Sequence, residues 1–173
     1  MFYNNGQLVI YLEKYDVKFK KKFGQNFLKD INIVKRIVDI SGVNSDSLVI
    51  EVGPGGAIMT KELANRAKNV LAYEIDVDLA DELYKRIEDC SNVDVLFQDF
   101  LNSDLLSDIS NYSYDHIYFV SNVPYYITTP ILLKLLQSKI HFDKIVMMVQ
   151  KEVGDRFCTS PGCRAYGSIT VLL

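Results

Sequence analysis

The residues best suited to chemistry in this 173-residue chain sit in four short stretches: Gly53-Pro54-Gly55, Glu74, Asp99-Phe100 and Asn122-Val123-Pro124-Tyr125. Each lies at or just after the end of an apolar run that reads as a β-strand. Glycines at such a place let the main chain approach a ligand where a Cβ would collide. A dinucleotide fits this loop poorly, because the third glycine of G-x-G-x-x-G allows close helix packing and Ile58 stands in its place. Glu51 adds a negative charge where a pyrophosphate would lie. S-adenosylmethionine has no phosphate and carries a sulfonium and an ammonium, so the same carboxylate favours it.

Glu74 follows Gly53 by about 20 residues, the offset at which an acidic side chain accepts hydrogen bonds from ribose hydroxyls. Asp99 could accept from the cofactor's adenine amine, with Phe100 as an apolar flank. At the fourth stretch the Asn122 side chain and the Val123 carbonyl are both acceptors, and rigid Pro124 presents Tyr125 as a surface on which a base could stack. Two acceptors gripping an exocyclic NH2 would localise its lone pair for in-line attack on a sulfonium methyl, with no general base of shifted pKa. Each stretch alone has an ordinary reading as a turn, a tight connection or a helix cap. Together they are specific only if one fold brings them to one crevice.

The order of elements supplies that fold. Asp30 could cap a helix with Ile31, Val34, Ile37 and Val38 at helical spacing. Leu48 to Val52 then reads as a strand, Met59 to Ala67 as a helix, Val70 to Ile75 as a strand and Leu79 to Ile87 as a helix. Val93 to Phe97 and His116 to Val120 follow as strands, Ile131 to Leu136 as a helix, Ile145 to Val149 as a strand and Lys151 to Phe157 as a helix. Apolar strands separated by helices indicate a doubly wound α/β domain with a mainly parallel, Rossmann-like sheet covered on both faces. Ligands in such sheets sit at the carboxyl ends of the strands, near the point where strand order reverses.

Composition bounds the setting. A hydrophobic fraction of 49% supports one cored domain over residues 1–173. No apolar run approaches a membrane span, and Leu8 to Leu12 is too short for a signal core, so a cytoplasmic location is expected. Cys90, Cys158 and Cys163 match no zinc or redox spacing, and His116 and His141 lie apart, so no metal is expected. The net charge of −3 is not that of a protein that grips nucleic acid over its whole surface. The exception is the segment holding Lys14, Lys18, Lys20, Lys21, Lys22 and Lys29 among Phe19, Phe23 and Phe27, which is either an RNA-contact patch or a solvated basic run.

With these residues in view, the chain resembles the ribosomal RNA adenine dimethyltransferases of the KsgA group, relatives of the erythromycin-resistance methylases. The resemblance starts near Lys20 and runs through Phe23-Gly24-Gln25-Asn26-Phe27-Leu28, Glu51-Val52-Gly53-Pro54-Gly55, Glu74-Ile75-Asp76, Gln98-Asp99, Asn122-Val123-Pro124-Tyr125 and Gln150-Lys151-Glu152-Val153. It implies that Asn26, Leu28 and Gly53 hold the methionine end of S-adenosylmethionine. Glu74 would then hold the ribose and Asp99 the adenine, while Asn122 would serve both the cofactor site and the target amine. It further implies small-subunit ribosomal RNA, or its precursor particle, as partner, with two methyl groups added to each of two neighbouring adenines during ribosome assembly. Thr128-Thr129-Pro130 and Ala165-Tyr166-Gly167 look more like this group than like the resistance methylases, which rank second.

The departures are specific. Val123 stands where the family usually has leucine or isoleucine, and Ala57 where it often has glycine. Family members continue beyond a point equivalent to Leu173 with two more strands and a small helical domain. An incomplete sheet would leave Ile145 to Val149 as an apolar edge, so self-association is expected. The rival functions are a nicotinamide-dependent oxidoreductase, opposed by Ile58 and Glu51, and a non-catalytic RNA-binding assembly factor.

Overall fold

A computed structural model describes residues 8–12, 30–149 and 153–155, and it describes residues 8–12 and Tyr125 at the level of the backbone. Lys14, Lys18, Lys20, Lys21, Lys22, Asn26, Leu28, Lys29, Cys158, Cys163, the phenylalanines of the basic segment and Ala165-Tyr166-Gly167 lie outside the described residues. So does most of the helix expected from Lys151 to Phe157, of which 153–155 are helical.

Leu8–Leu12 forms strand β1. Helix α1 (Ile31–Ser41) begins where expected, with the Asp30 carboxylate accepting from the Asn32 N–H at 2.9 Å. Gly42 ends it in the left-handed region at φ 78°. Its buried stripe is Ile33, Val34, Ile37 and Val38, whereas Ile31 stays 43% exposed. Strand β2 (Ser47–Val52), helix α2 (Ile58–Ala64), strand β3 (Asn69–Glu74), helix α3 (Ala80–Arg86) and strand β4 (Val93–Phe97) follow. Next come α4 (Leu105–Ile109), β5 (His116–Asn122), α5 (Thr128–Gln137) and β6 (Lys144–Val149). Pro130 falls in the first turn of α5, where no intrahelical N–H is needed.

The six strands form one sheet in the order β1-β6-β5-β2-β3-β4, with every neighbouring pair parallel. Strand alternation sends Leu48, Ile50, Phe119 and Met147 to one face, where they pack with Leu105 and Ile109 of α4 and Ile131, Leu132 and Leu135 of α5. Val49, Val70, Val120 and Val146 face the other side, beneath α1 and α2. Leu83 and Ile87 continue that second layer over β4. Both faces are thus covered, which is why the central strands are mostly apolar.

Two elements depart from expectation. Helix α4, five residues capped by the Asp104 carboxylate on the Ser107 N–H, is too short to show a helical period in sequence. Strand β1 is the more consequential. The apolar patch Leu8 to Leu12 pairs in parallel with β6, with Leu8 opposite Ile145 and Leu12 opposite Val149. The edge expected at Ile145 to Val149 is therefore occupied, and the self-association argued from a bare β6 edge is corrected on that ground. Deleting residues 1–12 should uncover this edge and raise the mass measured by light scattering above that of the full chain. An unchanged mass at high concentration would show that β1 does not guard it.

Candidate active site

Strand order reverses between β2 and β5, because the chain runs outward from β2 to β4 on one side and from β5 to β6 on the other. The last register pair of β2 and β5 is Ile50 with Phe119, after which the two strands continue without a shared ladder. Ser121 closes the gap. Its hydroxyl donates to the Val52 carbonyl at 2.6 Å and accepts from the Val52 N–H at 3.2 Å. One buried side chain thus satisfies both polar groups of a strand end that has lost its neighbour. It also fixes the distance between the glycine loop after β2 and the turn after β5.

The four stretches singled out in the sequence meet above this point in one cleft of about 790 Å³, within the roughly 300–1,000 Å³ usual for small-molecule sites. Gly53, Gly55, Glu74, Asp99, Phe100, Asn122, Val123 and Pro124 all line it. Gly53 has φ 73°, and a Cβ built there would meet nothing within 4 Å. Its side therefore opens onto free space that a ligand could enter, in a conformation that other residues rarely adopt. The Gly53 N–H is held by the Tyr73 carbonyl at 2.8 Å, which ties the loop to β3. Ala57, where glycine was expected, lies in the left-handed region at φ 57° and is buried. A non-glycine residue there costs roughly 1–2 kcal/mol.

Glu74 is 2% exposed and accepts from the Asp76 N–H at 3.0 Å and, at 3.4 Å, from the Gly55 N–H. The carboxylate that could meet a ribose therefore also shapes the glycine loop. Asp99 accepts from the Leu101 N–H at 2.9 Å and the Asn102 side chain at 2.8 Å, capping a 3₁₀ turn over Phe100–Asn102. Its ordinary role as a cap and its place on the cleft wall coexist, since a carboxylate has about four acceptor positions. Phe100 is chiefly a core residue. It is 3% exposed, with its ring edge-on to Tyr73 at 5.0 Å and tilted to Phe119 at 6.0 Å.

After β5, Asn122 and the buried Val123 lead into a 3₁₀ turn over Tyr125–Ile127. The Pro124 carbonyl accepts from the Ile127 N–H at 3.1 Å and the Thr128 hydroxyl at 3.2 Å, locking the turn onto the start of α5. The Tyr125 side chain is outside the described residues. Tyr126, 59% exposed, lines the cleft. Ile75 (69% exposed), expected only as a strand and motif residue, and Leu101 are further lining residues. Their signal was faint, an apolar residue directly after an acidic strand end and another two residues beyond Asp99.

The cleft is acidic. Glu51, Glu74, Asp76, Glu82 and Asp99 line it, and the lining Arg86 is paired with Glu82 at 2.6 Å. Glu51 is 1% exposed and shares a face with Val49, under α2. Burial is the main cause that pushes its carboxyl from 4.5 up to about 8, the Thr60 hydroxyl pulls it partly back, and Glu74 adds to the rise. Glu51 Oε2 and Thr60 Oγ1 are both buried without a hydrogen-bond partner among the described residues. Burial thus favours the neutral acid at pH 7 over the fixed negative charge expected of Glu51. A cation placed beside it would favour the ionised form.

Fold and cleft define a Rossmann-like domain with an open cleft at the switch point of a parallel sheet. The chain is similar to the crystal structure of the 23S rRNA methyltransferase ErmE, at 32% identity and a TM-score of 0.64 over 76% of this chain and 50% of that one. It is also similar to a dimethyladenosine transferase from Plasmodium falciparum, at 28% identity and a TM-score of 0.71 over 84% and 50% of the two chains. The model of the ribosomal RNA adenine dimethylase family matches residues 16–173, and the chain belongs to that family. Ribosomal RNA small subunit methyltransferase A of Macrococcus caseolyticus is 44% identical over 162 residues, 92% of this chain and 55% of that protein. The chain therefore spans little more than half the length of such relatives. No group of histidine, cysteine and carboxylate residues among the described residues could hold a metal ion.

Glu51 offers a direct test of the cleft's electrostatics. The folded carboxyl keeps its proton up to about pH 8 and an ordinary one only to about 4.5, so the folded state binds more protons in that window and stability falls as pH rises through it. Glu51→Gln should flatten that part of the pH profile of unfolding free energy, measured by chemical denaturation. A variant with the parent's slope would place the ionisation elsewhere.

Proposed function

We propose that this chain is the catalytic domain, over residues 1–173, of a methyltransferase that uses S-adenosylmethionine to methylate the exocyclic amine of adenine in ribosomal RNA. One observation carries the reading. A buried carboxyl with an oxygen unpartnered among the described residues and the open space over Gly53 lie in the same acidic cleft as the Asn122-Val123-Pro124 turn. The residues fit the donor: Glu51 is placed for a cationic group, Glu74 for ribose hydroxyls and Asp99 for an adenine amine, with Ile75 and Leu101 as apolar walls. Ile58, standing where the third glycine of a dinucleotide loop would pack, opposes the nicotinamide rival.

S-adenosylmethionine supplies, when bound, a methyl group activated by its sulfonium. The chain's part is positioning. Asn122 and the Val123 carbonyl accept hydrogen bonds from the target NH2, so the nitrogen lone pair points along the line on which the N–C bond forms as the S–C bond breaks. A proton then leaves the nitrogen for water, and no side chain need act as base. Pro124 holds the turn rigid, and Tyr125, with Tyr126 beside it, offers an aromatic surface to a base extruded from its stack. Asn26 and Leu28 complete the methionine end, and Lys20, Lys21 and Lys22 supply the phosphate contacts that the acidic cleft cannot.

The substrate we propose is small-subunit (16S) ribosomal RNA or its precursor particle in the cytoplasm, with dimethylation of two adjacent adenines. The relatives named ribosomal RNA small subunit methyltransferase A and the Thr128-Thr129-Pro130 sequence support it. A large-subunit substrate of the resistance type is the second reading, favoured by the likeness to ErmE. Methyl transfer to unmethylated small subunits, against large subunits as control, separates the two, and cofactor binding without transfer would favour an assembly factor. Among the described residues no helix is long and apolar enough to cross a membrane.

Asn122→Ala is expected to abolish methyl transfer while weakening S-adenosylhomocysteine binding far less, and retained turnover would remove Asn122 from the mechanism. Glu74→Ala should weaken that binding by about 1.5–3 kcal/mol, as for hydrogen bonds to a charged group. An unchanged dissociation constant by calorimetry would contradict the ribose role.

A further inference from the structure

Lys134 lies on the second turn of α5, away from the reacting groups, yet its ammonium is committed to the cleft wall. Its Nζ donates to the Ser103 carbonyl at 2.6 Å and the Leu101 carbonyl at 3.1 Å, and sits 5.4 Å from the centroid of the Phe100 ring. These carbonyls belong to the end of the 3₁₀ turn that Asp99 caps at its start. A short turn leaves such carbonyls without helical partners, and a lysine is well suited to cap them. Leu101 itself lines the cleft. The other end of the connection is equally fixed, because α5 starts immediately after the Pro124 turn and is locked to it through the Thr128 hydroxyl.

The geometry points to Lys134 as a positioning residue that holds the Asp99-to-Leu101 wall against α5 and so couples adenine recognition to the placement of the Asn122-to-Tyr125 turn. This rests on the reading above, in which Asp99 meets the cofactor's adenine. Lys134 touches neither cofactor nor target. It keeps the Asp99 carboxylate and the Leu101 side chain in register with the turn that presents the target amine. A second observation supports the route: Phe100, under the ammonium, packs edge-on against Tyr73, whose carbonyl holds the Gly53 N–H at 2.8 Å. The adenine wall, the glycine loop and the helix behind the target turn are thus linked through one segment.

The test compares the 173-residue chain with Lys134→Met, which keeps the aliphatic stem and removes the donors, and Lys134→Arg, which restores them. Calorimetry measures two ligands on each: S-adenosylhomocysteine and its inosine analogue, in which the purine amine is replaced by an oxo group. The parent chain should prefer the adenosine ligand. Failure of the parent to bind either would overturn the methyltransferase reading itself, independently of Lys134. If the parent discriminates, Lys134→Met should bind S-adenosylhomocysteine roughly tenfold more weakly, as for loss of a charge-assisted hydrogen bond. It should also lose most of the preference for adenosine, and Lys134→Arg should recover both. A methionine variant that keeps the parent's preference, even with a lowered melting temperature, would make Lys134 a stability residue only and overturn the inference. Should the methionine variant not fold, Lys134→Gln is read by the same preference.

Discussion

The cleft exists because β2 and β5 stop sharing a hydrogen-bond ladder before either strand ends. A parallel sheet that winds outward in both directions from its middle must leave such a seam, and the seam exposes polar main chain that burial would penalise. Ser121 resolves the conflict at small volume, with one hydroxyl bonded to both the N–H and the carbonyl of Val52. The strands then diverge above that point with the Val52 main chain satisfied. The glycine loop stands on one lip of this seam and Asn122 on the other.

Charge follows from the same geometry. Carboxyls collect around the opening because strand ends and turn caps favour acidic side chains, and several of them are used structurally: Glu74 in the glycine loop, Asp99 in its 3₁₀ turn and Asp76 capping the turn after β3. Glu51 is different, for it is buried with an oxygen unpartnered among the described residues, and desolvation keeps it protonated. A site of this kind stores an unmet interaction that a cation can satisfy, which suits a sulfonium and ammonium ligand better than a phosphate.

Much of this was legible in the residues. Leu48 to Val52, Val70 to Glu74 and Val93 to Phe97 are strands because their apolar runs are bounded by turn residues, and the structure places all four sequence stretches on one cleft. What sequence could not show depends on distant contacts. Leu8 to Leu12 is ambiguous alone and becomes a strand only through pairing with β6, 137 residues further along the chain. Lys134 looks like a solvated helix lysine until the fold brings Leu101 and Ser103 beneath it. Likewise the charge of Glu51 could be inferred from its identity, but its neutralisation needed the depth of burial under α2. Phe100, expected as a flank for adenine, is held mainly by core aromatics.

In the proposed mechanism a sulfonium donor and the target turn face each other across the β2–β5 seam. A crystal structure of the chain with bound S-adenosylhomocysteine measures this directly. It should show the sulfur between Gly53 and Asn122, the ribose hydroxyls on Glu74 and the ammonium on the Glu51 side. Density for the ligand outside the seam, or with its sulfur directed away from Asn122, would contradict the account.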